Sequence, residues 1–230
     1  MKIKINYLAF ILLSILSQPT LAAFILDGTR FIYDEEKENI SIDITNQSKF
    51  MYGSQVWVEN ISSPKSDVSF IPMPSFSKIN GGDSQVVRIA RVSNDQPKNR
   101  ESIYWLNIQE IPSANKNPNN SMVIAIHTKV KLIYRPDVLR NGRKDAELKM
   151  RLIDENGVTF LENTTPYYFS ISSLKLNDVD IESTQEVSES LSIFKPFSKV
   201  KLEGVTLQPS SKLTFESIDD FGAFNEYSIY

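Results

Sequence analysis

The chain has 230 residues, 41% of them hydrophobic, and sets 25 Lys and Arg against 28 Asp and Glu for a net charge of −3. That apolar content can build one large or two ordinary cores, so global disorder is excluded, and the interspersed charges leave no basic footprint for nucleic acid. With no cysteine and one histidine, His127, a transition-metal site built from nitrogen and sulfur ligands is nearly excluded.

The first 22 residues read as a targeting segment. Lys2 and Lys4 form a basic start and residues 7–16 a short apolar run. Thr20-Leu21-Ala22 supplies small residues ahead of a cut after Ala22, with a cut after Ala23 the close alternative. The run is too short, and too soon followed by Gln18 and Pro19, to span a bilayer comfortably. Losing Lys2 and Lys4 would take the net charge from −3 to about −5. An exported chain without cysteine must be held by packing, which suits two β-sandwiches of about 100 residues each. Nothing else is long enough to span a bilayer, so a soluble mature product is expected.

After the leader, short β-runs alternate with turns. Residues 24–33 and 40–44 come first, joined by the charged stretch 34–39. Residues 50–58 follow, carrying Trp57, and then a polar loop at 62–67. Residues 70–74 are extended but cannot form a central strand, because Pro72 and Pro74 donate no ladder hydrogen bond. Asn80-Gly81-Gly82-Asp83 is a turn, since glycine supplies the positive φ that such turns need. Residues 85–89 and 102–111 are further strands, and 113–120 is a short Asn-rich loop expected to be mobile.

The last strand of this set is 121–136, SMVIAIHTKVKLIYRP. It alternates over Met122, Ile124, Ile126, Thr128, Val130, Leu132 and Tyr134, while Val123 and Ala125 fill the other face. A strand apolar on both faces is normally covered on both. Here it ends in Lys129, Lys131 and Arg135, and Pro136 stops the ladder. About seven short strands at regular spacing predict an antiparallel, immunoglobulin-like sandwich.

Residues 136–144 (PDVLRNGRK) combine charge, Pro and Gly and mark a domain boundary, expected between 138 and 139. Beyond it, 148–153 and 158–161 read as a hairpin around Asp154-Glu155-Asn156-Gly157. Further strands are expected at 167–174, 190–193, 200–202, 212–218 and 227–230. Residues 178–189 are acidic and read as a solvated loop. The second domain is thus also β, smaller and less strongly patterned.

Enzyme chemistry finds little footing. A Ser–His–Asp arrangement would have to use His127, which lacks a G-x-S-x-G element and reads as a half-buried structural side chain. Neither G-x-G-x-x-G nor a phosphate loop occurs. Asp219 and Asp220 are adjacent, so in a strand they would point to opposite faces. No enzyme, metal or cofactor is expected.

An ordered set of motifs resembles the periplasmic pilus-assembly chaperones, the PapD-like family of the chaperone–usher pathway. It comprises Thr29-Arg30 before residues 31–33, Gln55-Val56-Trp57-Val58-Glu59, Phe70-Ile71 with Pro72 and Pro74, Val87-Arg88-Ile89, and Arg100-Glu101-Ser102 leading into 107–112. It continues through 128–136, 163–168 (NTTPYY), Pro196-Phe197-Ser198 and Asp219-Asp220-Phe221-Gly222. The resemblance covers nearly the whole mature chain. It implies an all-β chain of two immunoglobulin-like domains in a boomerang with a cleft between them.

It also implies roles. Arg30 and Lys131 match the cleft cations that anchor a pilus subunit's C-terminal carboxylate; otherwise Lys131 would read as a solvated lysine at a strand end. Met122, Ile124 and Ile126 match the alternating residues of a strand lent to a subunit that lacks its own last strand, with Val123 and Ala125 facing home. Glu101, Arg135 and Asp220 match an interdomain charge triad, with Asp219 the weaker candidate. By simple alternation Lys131 lies opposite Met122, Ile124 and Ile126, so a bulge or twist near 128–130, or a cleft reached from the side, would be needed. Asn80-Gly81 replaces the family's usual Pro-Gly, Pro74 lacks an adjacent proline, and the loop before the lent strand is short and without cysteines, which resembles the short-loop branch.

The function implied is a chaperone that binds fimbrial subunits by donor-strand complementation and passes them to an outer-membrane usher without ATP. Its exposed lending edge would favour self-association when client-free. Two rival readings are an exported β-sandwich fimbrial subunit or adhesin, against which the paired cations Arg30 and Lys131 argue, and a periplasmic hydrolase on an Ig-like scaffold, against which the single histidine argues.

Overall fold

The computed structural model describes residues 23–61, 68–113 and 124–230. The expected leader, the 62–67 loop, most of the Asn-rich loop and Met122 lie outside these residues.

The first sandwich is built from nine strands among the described residues. They are β1 (Phe24–Leu26), β2 (Arg30–Asp34), β3 (Asn39–Asn46), β4 (Tyr52–Asn60), β5 (Phe70–Met73), β6 (Phe76–Ile79), β7 (Ser84–Arg91), β8 (Ser102–Pro112) and β9 (His127–Arg135). One sheet runs β1-β3-β7-β5 and the other β2-β9-β8-β4-β6. The proline-bearing β5 sits at an edge, as a strand with missing donors must. Between the sheets lie Tyr33, Ile42, Ile44, Val56, Phe70, Val87, Ile89, Leu106, Ile108, Leu132 and Tyr134.

Two local readings need correction. The run 24–33 is two strands: β1 pairs antiparallel with β3, whereas β2 crosses to the other sheet and lies parallel to β9. Asp27-Gly28-Thr29 makes the corner, where the Asp27 carboxylate accepts from the Asp43 N–H at 3.0 Å. β6 is apolar only at its two ends, Phe76 and Ile79, so no alternation announced it; it forms the outer edge beside β4.

The turn at residues 80–83 behaves as its glycines require. Gly82 has φ 84°, and a Cβ on Gly81 would stand 2.6 Å from the Lys49 carbonyl carbon. The Asn80 amide donates to Asp83 Oδ2 at 3.0 Å and closes the loop.

After β9 the chain makes 3-10 turns at Asp137–Gly142 and Ala146–Lys149 before the second sandwich. Its elements are β10 (Arg151–Glu155), β11 (Val158–Asn163), β12 (Ile171–Leu176), β13 (Val179–Asp180), α1 (Gln185–Ser192), β14 (Ser198–Lys201), β15 (Leu213–Ile218) and β16 (Phe224–Ile229). The sheets run β10-β11-β14 and β13-β12-β15-β16 over a separate core that includes Leu161, Phe169, Leu174, Phe194, Leu213 and Phe215. The β10–β11 turn places Asn156 at φ 56° and Gly157 at φ 81°, the pair of positive values a two-residue hairpin needs.

Here too the reading is corrected. The strand expected to start at 148 begins at Arg151, after a 3-10 turn. Residues 185–189 of the expected acidic loop and 190–192 of the expected strand form the helix α1 instead, and Val179–Asp180 of that loop form the short strand β13. Thr184 caps it by accepting from the Val187 N–H at 3.4 Å. Val187 and Leu191, one turn apart, pack on the second core, and the acidic residues that suggested a loop are the solvated face.

Candidate functional site

The two sandwiches meet along one face of β9. Val130, Leu132 and Tyr134 point into the first core. The alternate residues Lys131 and Arg135 turn outward and reach partners on the second domain. Pairing of β9 with β8 is unbroken from Ser102↔Tyr134 to Gln109↔His127, so no bulge is present. Lys131 therefore reaches the cleft by plain alternation.

The same register corrects the assignment of faces. Even-numbered positions form the home-core face at Val130, Leu132 and Tyr134, so the odd residue Ala125 does not face home; it is exposed. Ile124 and Ile126 precede β9 rather than belonging to it. The Ile126 carbonyl still accepts from the Glu110 N–H at 2.9 Å, which extends the ladder by one step. Ile126 is half-buried, and Ile124, 65% exposed, lies past the point where the first core covers this edge. By alternation both continue the core-side face beyond the end of the core.

Arg30 and Lys131 are register partners on the parallel strands β2 and β9, so their side chains leave the sheet side by side. Arg30 is 9% exposed; its Nη1 donates to the Ile218 carbonyl at 2.8 Å and its Nε is buried without a partner. Lys131 Nζ donates to Ser170 Oγ at 2.7 Å and to the Ser192 carbonyl at 2.5 Å. Among the described residues neither cation has an ion pair with a carboxylate. Burial, and then the neighbouring Arg30 charge, push the Lys131 ammonium down to about 8. Burial also lowers Arg30.

Arg135 joins the domains through two carboxylates. Its Nε donates to Glu101 Oε1 at 2.6 Å, and Nη1 and Nη2 donate to Asp220 Oδ2 and Oδ1 at 2.6 and 3.0 Å. The second oxygen of Glu101 accepts from the Tyr168 N–H at 2.8 Å, so this fully buried carboxylate has a donor on each oxygen. Burial works against the charge of Arg135, but the hydrogen bonds and fields of Asp220 and Glu101 raise it above its ordinary value. The adjacent Asp219 is not in this network: it accepts from the N–H groups of Phe221 and Ala223, both at 2.9 Å, and ties the β15–β16 turn. That turn presses on the first domain, where a Cβ on Gly222 would come 2.6 Å from Thr29 Oγ1.

Several participants were not legible in advance. Arg143, whose Nε lies 3.6 Å from Asp220 Oδ1, is held by a bidentate contact with Glu147; their i, i+4 spacing was the available signal. Ser170 and the carbonyls of Ser192 and Ile218 carried no signal. His127, expected to be half-buried, is exposed; it stacks on Trp57 with ring centres 5.1 Å apart and hydrogen-bonds Asn107 Oδ1 at 3.0 Å.

Residues 23–140 match the family model described as pili and flagellar-assembly chaperone, PapD N-terminal domain, and residues 144–229 match the pili assembly chaperone PapD, C-terminal domain. The chaperone protein FanE of Escherichia coli is 42% identical over 224 residues, covering 97% of both chains. FaeE of the same organism is 35% identical, covering 92% of this chain and 80% of its own. Among solved structures, the YadV chaperone is 27% identical with a TM-score of 0.72, covering 90% of this chain and 98% of that one. A structure of the Salmonella enterica SafA pilin in complex with the SafB chaperone matches in fold at a TM-score of 0.76 and 22% identity, covering 92% and 97%.

Proposed function

The chain belongs to the PapD family of pili assembly chaperones, and from that premise we propose how its own residues do the work. It is a chaperone of fimbrial subunits in a family that acts in the periplasm, and it delivers them to an outer-membrane usher. Residues 1–22 export it, 23–138 form the lending domain and 139–230 its second domain. Among the described residues no helix is long and apolar enough to cross a membrane.

A subunit that lacks its last strand exposes a groove. Met122, Ile124 and Ile126 fill it, each burial worth about 1.5–3 kcal/mol. The subunit's C-terminal carboxylate lies on Arg30 and Lys131, where each charge-assisted hydrogen bond contributes about 1.5–3 kcal/mol. That anchor sets register, because a slip of one residue would turn every lent side chain out of the groove. Glu101, Arg135 and Asp220 hold the angle between domains, so that cations and lent strand address one client together. No catalysis is required: the energy difference between chaperone-bound and fibre-bound subunit drives release.

The observation that carries this reading is the register pair Arg30↔Lys131, two desolvated cations side by side with no carboxylate of their own among the described residues. Such a pair is costly unless an anion arrives. Co-expression with a candidate fimbrial subunit encoded nearby tests it. Wild type keeps the subunit soluble and co-purifies with it from the periplasm, whereas Arg30→Ala and Lys131→Ala lose it. Equal recovery with either variant would sink the anchor.

A further inference from the structure

We infer that α1 is a positioning element for the client anchor: its last carbonyl, with the Ser170 hydroxyl, holds the Lys131 ammonium in place and leaves one N–H for a carboxylate. The inference rests on the reading of Lys131 as that anchor. An ammonium has three donors. Two are committed, at 2.5 Å to the carbonyl of Ser192, the final residue of α1, and at 2.7 Å to Ser170 Oγ.

The match is reciprocal. A helix ends in carbonyls without intrahelical partners and carries partial negative charge there, which a cation relieves. α1 has no basic residue in its last turn, so the cation comes from the other domain, 61 residues away in sequence. Lys131 in turn has no carboxylate of its own among the described residues, and burial beside Arg30 pulls its proton affinity down to about 8. The helix end and the hydroxyl keep it charged and aimed while the cleft is empty.

The other charged groups facing this point are few. Arg30 stands beside Lys131 on β2. Asp219, Asp220, Glu101 and Arg143 act on Arg30 from farther off. On α1 itself, Glu186 sits in the first turn and Glu189 accepts from the Gln185 amide. None of the described carboxylates replaces the helix end as the partner of Lys131. The second domain, which lends no strand, thereby takes part in client capture.

The test uses the full mature chain and two synthetic peptides that copy the C-terminal strand of a fimbrial subunit with which it co-purifies, one with a free carboxylate and one with a C-terminal amide. Titration calorimetry from pH 6.5 to 9.5 gives affinities. Wild type should prefer the carboxylate and lose that preference as pH rises through the Lys131 range. Ser170→Ala should weaken the carboxylate probe roughly five- to tenfold, leave the amide unchanged and start the alkaline loss at lower pH. Ser170→Thr should restore both. Ser190→Pro, which breaks α1 at an exposed position, should act like Ser170→Ala, while Ser190→Ala should match wild type.

If Lys131→Ala abolishes the preference but Ser170→Ala and Ser190→Pro keep wild-type affinity and pH profile, α1 has no positioning role and the anchor stands. If Lys131→Ala itself binds both probes as wild type does, the anchor reading fails and this inference with it.

Discussion

Lys131 concentrates the residue-scale chemistry. In the unfolded chain its ammonium titrates at the ordinary 10.5; in the folded, client-free protein it titrates near 8. Between those values the unfolded state holds the extra proton, so stability rises with pH across that window. Tyr134, pushed up to about 12 by burial, acts in the opposite sense only above the ordinary tyrosine value of 10. Lys131→Met should therefore raise the melting temperature at pH 7.5 and abolish the rise between pH 7.5 and 9.5; a variant that melts with the wild-type pH slope would contradict the buried-cation account. Client affinity should move oppositely, because a bound carboxylate needs the proton that alkali removes.

At the scale of elements, β9 divides its labour along its length. Leu132 is fully buried in the first core, so Leu132→Ala should cost about 2–5 kcal/mol of stability in denaturant unfolding. Ile124 on the approach to the strand is 65% exposed, so Ile124→Asp should change stability by no more than about 0.5 kcal/mol. The same substitution should reduce subunit recovery at least about tenfold, since a charge cannot enter an apolar groove without loss of its burial energy. A parallel drop in melting temperature and recovery would place Ile124 in the home core instead. The turn before β7 is less tolerant: Gly81→Ala puts a methyl 2.6 Å from backbone carbon of Lys49, and a clear loss of thermal stability is expected.

For the whole molecule, the triad couples the domains. Arg135→Ala would leave the Glu101 carboxylate, 1% exposed, buried without its cation, a change worth about 3–5 kcal/mol. Asp220→Asn touches a more exposed partner and should cost less, yet it removes the bidentate link that crosses between domains. Calorimetry should then show the two sandwiches melting as separate transitions, with subunit binding weakened although the lent residues are intact. One cooperative transition at the wild-type temperature would mean that Arg135 does not couple them.

The chain's own order of residues was enough for much of this. Alternation marked most strands, Pro72 and Pro74 placed β5 at an edge, Asn-Gly marked the β10–β11 turn, and the ordered motifs carried the family resemblance. These are local properties: side-chain periodicity and backbone φ preferences act over a few residues. Other features depend on where distant segments pack. Local pattern could not say that residues 27–29 switch sheets, that the even face of β9 is the home face, or that an acidic stretch folds as α1 against the second core. Nor could it pair Lys131 with a carbonyl and a hydroxyl, because backbone acceptors carry no mark of their own in a sequence and become partners only when tertiary packing brings them to the cation.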